Sequence, residues 1–125
     1  MTGAVDASGR ALLTIRVGGP APPQFESIRV WIDTGFTGDL VLPEQLIRRL
    51  RLTQSGSVDA VLADGTQIEL PVFTCFVDLF GDRRRLEVVA NRGDYPLLGV
   101  GLLRECELRI DYRTQQLTLT KEVRL

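Results

Sequence analysis

An apolar run, Ile28-Arg29-Val30-Trp31-Ile32, ends in Asp33-Thr34-Gly35-Phe36-Thr37-Gly38, and a second apolar run begins at Leu40-Val41-Leu42. Ile28, Val30 and Ile32 alternate with Arg29 and Trp31, the period of a strand with one face turned inward. A short loop carrying two glycines then returns the chain into a second strand. The segment reads as strand, tight loop, strand. Its loop presents one carboxylate, Asp33, at a strand end.

The rest of the chain has the same character. Leu13, Ile15 and Val17 share one face of a strand over 11–17, and Gly18-Gly19-Pro20-Ala21-Pro22-Pro23 forms the loop of an antiparallel hairpin to 26–32. Pro43 to Leu50 predicts a helix, with proline in the first turn, Glu44 at the positive dipole end and Arg48 and Arg49 at the negative end. Gln54-Ser55-Gly56-Ser57 reads as a break. Val58 to Val72 is the clearest hairpin, because alternating arms flank Ala63-Asp64-Gly65-Thr66 and Asp-Gly is a strong turn signal. Its arms carry little apolar weight, so it is expected to stand off the core. Phe73 to Phe80 and Arg85 to Ala90 predict strands around a turn at Gly81-Asp82-Arg83-Arg84. Leu97 to Leu103, with glycines at 99 and 101, predicts a buried strand that meets other backbone closely. A short helix is expected within 102–106, and strands over 107–112 and 116–121. Residues 1–9 are expected to fray. The sum is about eight short strands in one all-β domain spanning 1–125, a mainly antiparallel barrel or sandwich with one or two short helices.

Composition narrows the chemistry. There is no histidine, which removes Ser-His-Asp and Cys-His arrangements and histidine-ligated zinc. No metal and no cofactor is expected. A net charge of −1 gives no reason to expect nucleic acid as a partner. No apolar run is long enough to span a membrane, and the N-terminus lacks a basic segment followed by an apolar one, so a cytoplasmic location is expected. Cys75 and Cys106 read as reduced, mostly buried thiols. Trp31 reads as core, Arg83-Arg84-Arg85 as a solvated turn, and Asp59, Asp64 and Glu69 as a wet hairpin face.

Asp-Thr-Gly by itself is a weak signal, arising by chance in roughly a few per cent of chains this long. Its setting strengthens it. An apolar strand delivers Asp33-Thr34-Gly35, the hairpin Val58 to Val72 follows, and Leu97-Leu98-Gly99, with Leu102-Leu103 beyond, comes at a distance that lets it pack beneath the loop. This order resembles the retropepsin-like aspartic proteases, over about residues 10–120, and within them it is closer to a cellular bacterial and archaeal branch than to viral enzymes. The hairpin tip lacks the glycine-rich sequence of viral flaps, and the helix after Pro43 is longer than theirs.

The resemblance implies a retropepsin-like acid-protease barrel and an aspartic endopeptidase acting on peptide or protein substrates as a homodimer. Asp33, Thr34 and Gly35 would be the catalytic triplet, with Asp33 contributed by each copy. Ala63, Asp64, Gly65 and Thr66 would be the flap tip over substrate. Leu97, Leu98 and Gly99 would support the site. A terminal segment within 116–125 would supply an interleaved dimer strand, as against an ordinary edge strand with a tail. The alternative function is a catalytically silent peptide-binding or dimerisation module on the same fold. A weaker third reading is a small β scaffold in which the triplet is a chance turn.

Overall fold

The structure is a computed structural model describing residues 1–20 and 25–121. Its strands are β1 (Thr2–Val5), β2 (Ala11–Gly18), β3 (Phe25–Ile32), β4 (Leu40–Pro43), β5 (Thr53–Val61), β6 (Gln67–Leu79), β7 (Asp82–Asn91), β8 (Leu97–Leu98), β9 (Cys106–Asp111) and β10 (Gln116–Lys121). One helix, α1 (Glu44–Arg49), and a single 3₁₀ turn, Val100–Leu102, complete the elements. The fold is all-β, as the sequence predicts. The strands join in the order β5-β6-β7-β4-β8-β3-β2-β1-β10-β9, and β6 also pairs with β2, which folds the sheet back on itself. Pairing is antiparallel except for β3 with β8 and β4 with β7.

The inward residues follow the alternation. Leu13, Ile15 and Val17 of β2 are buried while Thr14 and Arg16 between them are exposed. They face Val30, Ile28 and Glu26 of β3 across the ladder. Leu40 and Leu42, Cys75, Val77 and Leu79, Val88, Leu98, Leu117 and Leu119 complete the same core. Helix α1 lays Leu46 and Ile47 onto it. Pro43 is its N-cap rather than its first residue, and Leu50 is its C-cap.

Several boundaries differ from the sequence expectation. Residues 1–9 do not simply fray: β1 is held between β10 and β2, with Gly3 opposite Leu117 and Val5 opposite Ala11. The local sequence is small and polar, so only the tertiary ladder makes it a strand. The expected break at Gln54-Ser55-Gly56-Ser57 lies inside β5, where a register irregularity leaves Ser55 as the extra residue between Gln54, opposite Phe73, and Gly56, opposite Val72. The second hairpin arm and the strand after it are one continuous β6. The next turn is only Phe80-Gly81, both at positive φ (54° and 79°). Arg83, Arg84 and Arg85 therefore lie on β7 and not in a turn, and the Arg83 Nε donates to Asp78 Oδ1 at 3.0 Å. The short helix starts at Val100 instead of 102, which shortens the expected 97–103 strand to Leu97–Leu98.

The terminal expectation also changes. β10 is no edge strand, because it lies between β1 and β9 of its own chain. Residues 122–125 of the proposed interleaving segment lie outside the described residues, as do 21–24 of the first hairpin loop.

Candidate active site

The site is built where β8 slips between β3 and β4. Trp31 and Ile32 run parallel to Leu97 and Leu98, and Leu40 and Val41 run antiparallel to Leu98 and Leu97. The loop from Asp33 to Asp39 thus arches over the end of β8, and backbone bonds tie it down. The Asp33 N–H donates to the Leu98 carbonyl at 2.9 Å, and the Gly99 N–H donates to the Asp39 carbonyl at 2.9 Å. The Val100 and Gly101 N–H groups donate to the carbonyls of Phe36 (2.9 Å) and Gly38 (3.0 Å). Each of these backbone groups of the crossing finds a backbone partner, as buried backbone must.

The approach is so close that a Cβ on Gly99 would run into the Gly38 carbonyl and the Phe36 ring. One on Gly101 would strike the Asp39 carboxylate. The sequence expectation of glycines at a close backbone crossing holds at both positions.

Asp33 itself is half-buried and Thr34 and Gly35 are exposed. Asp33 Oδ1 accepts the Gly35 N–H at 3.0 Å, a local turn that points the carboxylate back across its own loop. The structure therefore brings Asp33, Thr34 and Gly35 together with Leu97, Leu98 and Gly99.

The Ala63–Thr66 tip is a separate, exposed turn. The Leu62 N–H donates to the Thr66 carbonyl at 2.8 Å, and the Thr66 N–H donates to Asp64 Oδ1 at 2.9 Å. The Thr66 hydroxyl and N–H hold the Asp64 carboxyl below its ordinary range. Along β5 almost every residue is exposed, with Val58 and Val61 at 42% and 69%. A groove of about 620 Å³ opens beside the hairpin, walled by Leu62, Ile68, Leu70, Ala90 and Asn91, and Asp33 is not part of its wall.

Trp31 corrects the expectation of a core residue. It is 40% exposed. Its ring meets Tyr95 edge-on, with centroids 6.3 Å apart and planes at 84°. The Arg10 guanidinium lies 4.5 Å from the Tyr95 centroid and 5.9 Å from that of Trp31. Arg10 is held in turn by Asp6, whose Oδ2 accepts its Nε at 2.8 Å. The Arg10 backbone N–H, before the side chain, lowers the Asp6 carboxyl from its usual value. This aromatic and cationic ledge, two residues before Asp33 on β3, was missed in the sequence. The available signal was the alternation itself, which puts Trp31 on the outward beat between Val30 and Ile32.

No protein-family model matches the chain. No curated protein matches it either. Solved structures do. A retropepsin-like aspartic protease from Rickettsia conorii superposes with a TM-score of 0.66 at 21% identity, covering 97% of this chain and 89% of that one. An inhibitor-bound EIAV protease superposes with a TM-score of 0.56 at 17% identity, covering 79% of this chain and 89% of that one. With β8 threaded between the strands that carry Asp33-Thr34-Gly35, the chain has the fold of the retropepsin-like aspartic proteases.

Proposed function

We propose that the chain is an aspartic endopeptidase that hydrolyses peptide bonds as a homodimer, each protomer supplying Asp33. The observation that carries this reading is the Asp33-Thr34-Gly35 loop, clamped by the Asp33–Leu98 and Gly99–Asp39 backbone bonds. A single carboxylate cannot both take a proton from water and give one to the scissile carbonyl. Two carboxylates about 3 Å apart share one proton, because ionising both is costly. The ionised partner takes a proton from the water that attacks the carbonyl carbon, and the protonated partner donates to the carbonyl oxygen. Collapse of the tetrahedral intermediate breaks the C–N bond, and the proton taken from water goes to the leaving amine. The two carboxylates titrate as a pair.

The chain has one Asp-Thr-Gly, so a twofold axis must supply the second carboxylate. In this reading Thr34 bonds across that axis and Gly35 lets substrate approach the backbone. Ala63, Asp64, Gly65 and Thr66 close over an extended peptide and exclude water.

The test is cleavage of a peptide library by the purified chain between about pH 3 and pH 7. Cleavage blocked by a pepstatin-type inhibitor, and lost in Asp33→Asn with folding and association unchanged, is the expected result. Cleavage that survives Asp33→Asn overturns the assignment.

A further inference from the structure

Helix α1 ends in a turn that glycine usually makes. Leu50 is its C-cap, and the next residue, Arg51, stands at φ 54°. The Arg51 N–H donates to the Arg48 carbonyl and the Leu52 N–H to the Ile47 carbonyl, both at 3.1 Å. That pair of bonds puts a left-handed residue after the cap, a conformation glycine takes without strain. Arginine there costs stability, because its Cβ crowds the following carbonyl oxygen.

Arg51 lines a cleft of about 220 Å³, where α1 meets the root of the β5–β6 hairpin. Ile47, Leu52, Pro71, Phe73 and Ala90 supply its apolar wall, and Glu44, Arg48 and Arg51 its charged one. Ile47, Leu52 and Ala90 belong to the core and Phe73 packs against it, so the cleft is a place where the core stays open to solvent. Ala90 is the smallest of the inward residues of β7, after Leu86 and Val88.

The charges there are uneven. Glu44 Oε2 accepts from Arg48 Nη2 at 3.4 Å, and Arg49, outside the wall, is taken by both carboxylate oxygens of Glu26 at 2.7 and 3.0 Å. Among the described residues Arg51 makes no ion pair. One exposed, unmatched positive charge is left at the edge of an apolar space.

We propose that this cleft is a binding site for a small monocarboxylate with a compact apolar body. The body sits among Ile47, Leu52, Phe73 and Ala90, and the carboxylate pairs with Arg51. An apolar cavity of roughly 150 Å³ holds one benzene molecule. The space here therefore suits a single ring with a short linker and is too small for a folded segment. Phe73 offers the ring an aromatic neighbour. The guanidinium fork matches a planar carboxylate. Two arginines against one glutamate leave a single net positive charge, which a monoanion balances and an ammonium group opposes. The wall includes none of Asp33, Thr34, Gly35, the 63–66 tip or the 97–99 support, so the site stands independently of the peptidase reading.

The experiment is titration of the isotope-labelled full chain with phenylacetate, followed by backbone amide shifts at constant pH and ionic strength. Saturable shifts at Leu52, Phe73 and Ala90 are expected, with a Kd of about 1 mM or tighter for a ligand of this size. Phenylacetamide, the neutral analogue, is expected to bind about tenfold more weakly, and phenethylamine more weakly still. Arg51→Gly is expected to lose about tenfold in affinity while its urea midpoint rises, because the strain at this position is relieved. That combination separates loss of a ligand contact from loss of the fold. Absence of saturable shifts at millimolar phenylacetate overturns the proposal. So does equal binding of the amide or the amine, and so does an Arg51→Gly protein that binds like wild type.

Discussion

The backbone N–H of Asp33 donates to the carbonyl of Leu98 at 2.9 Å. This bond fixes the candidate catalytic residue to a two-residue strand from the far end of the chain. The position of Asp33 therefore depends on how well Leu98 and Gly99 are seated, and Leu98 is wholly buried.

Leu98→Ala should lower unfolding stability by about 2–5 kcal/mol, the usual cost of a buried leucine cavity. Gly99→Ala should be worse for the loop than its single methyl implies, because the new Cβ meets the Gly38 carbonyl and the Phe36 ring. Urea unfolding of both variants checks this. A Gly99→Ala protein as stable as wild type would show that the crossing can open without loss.

Trp31 should behave as a surface residue beside the site. Its fluorescence should be quenched readily by acrylamide, and a bound peptide should shift its emission to the blue. Under the peptidase reading, Trp31→Ala should reduce kcat/KM about three- to tenfold, mainly through KM, while Trp31→Phe retains most of it. Steady-state kinetics on one cleaved peptide separates the two terms. An effect confined to kcat would argue against a binding role.

Acid should destabilise the fold. The carboxyls of Asp6, Asp78 and Asp111 are lowered from the ordinary 3.8, first by the Arg10 N–H, the Arg83 side chain and the Arg113 side chain respectively. In the unfolded chain these groups protonate at their ordinary value, before the folded ones do. Their contribution is complete above about pH 3.8 and is lost as pH falls through the lower folded values. All three are at the surface, so the effect is small per group and shrinks with salt. Thermal melting from neutral pH downward, at low and high salt, should be nearly flat until that range. Asp78→Asn should lessen the drop.

The two thiols should separate by reactivity. Burial pushes the Cys75 thiol up to about 11, and also raises that of Cys106, which is less deeply covered. Near neutral pH a thiol reagent should label Cys106 slowly and Cys75 only on unfolding. Mass spectrometry of partly labelled protein reads the order. Equal labelling of both in the native state would contradict the burial of Cys75.

The legible parts of this chain were those where a local period and a local turn coincide. Leu13, Ile15 and Val17 declared β2, and Asp64-Gly65 declared its hairpin, because each signal lies within a few residues. Gly99 and Gly101 were legible as a close crossing because glycine weakens an apolar strand unless another backbone must come near it. β1 was not legible, since Thr2-Gly3-Ala4 has no strand signature and becomes one only between β10 and β2. Gln54 to Ser57 likewise looked like a break and is kept in the ladder by β6, with one irregularity at Ser55. Trp31 was misjudged because a large aromatic ring suggests core, while strand alternation turns it outward.

By itself, the sequence determined the all-β class, the Asp33-Thr34-Gly35 loop between two apolar strands, and the exclusion of any chemistry that needs histidine. These are properties of residue type and short-range order. The tertiary structure decided that β8 threads between β3 and β4, that Arg10 and Tyr95 gather around Trp31, and that β10 is enclosed between β1 and β9. Each of those depends on pairings between residues far apart in the chain. Their cost and reward are set by ladder partners and shared core, which no local stretch contains.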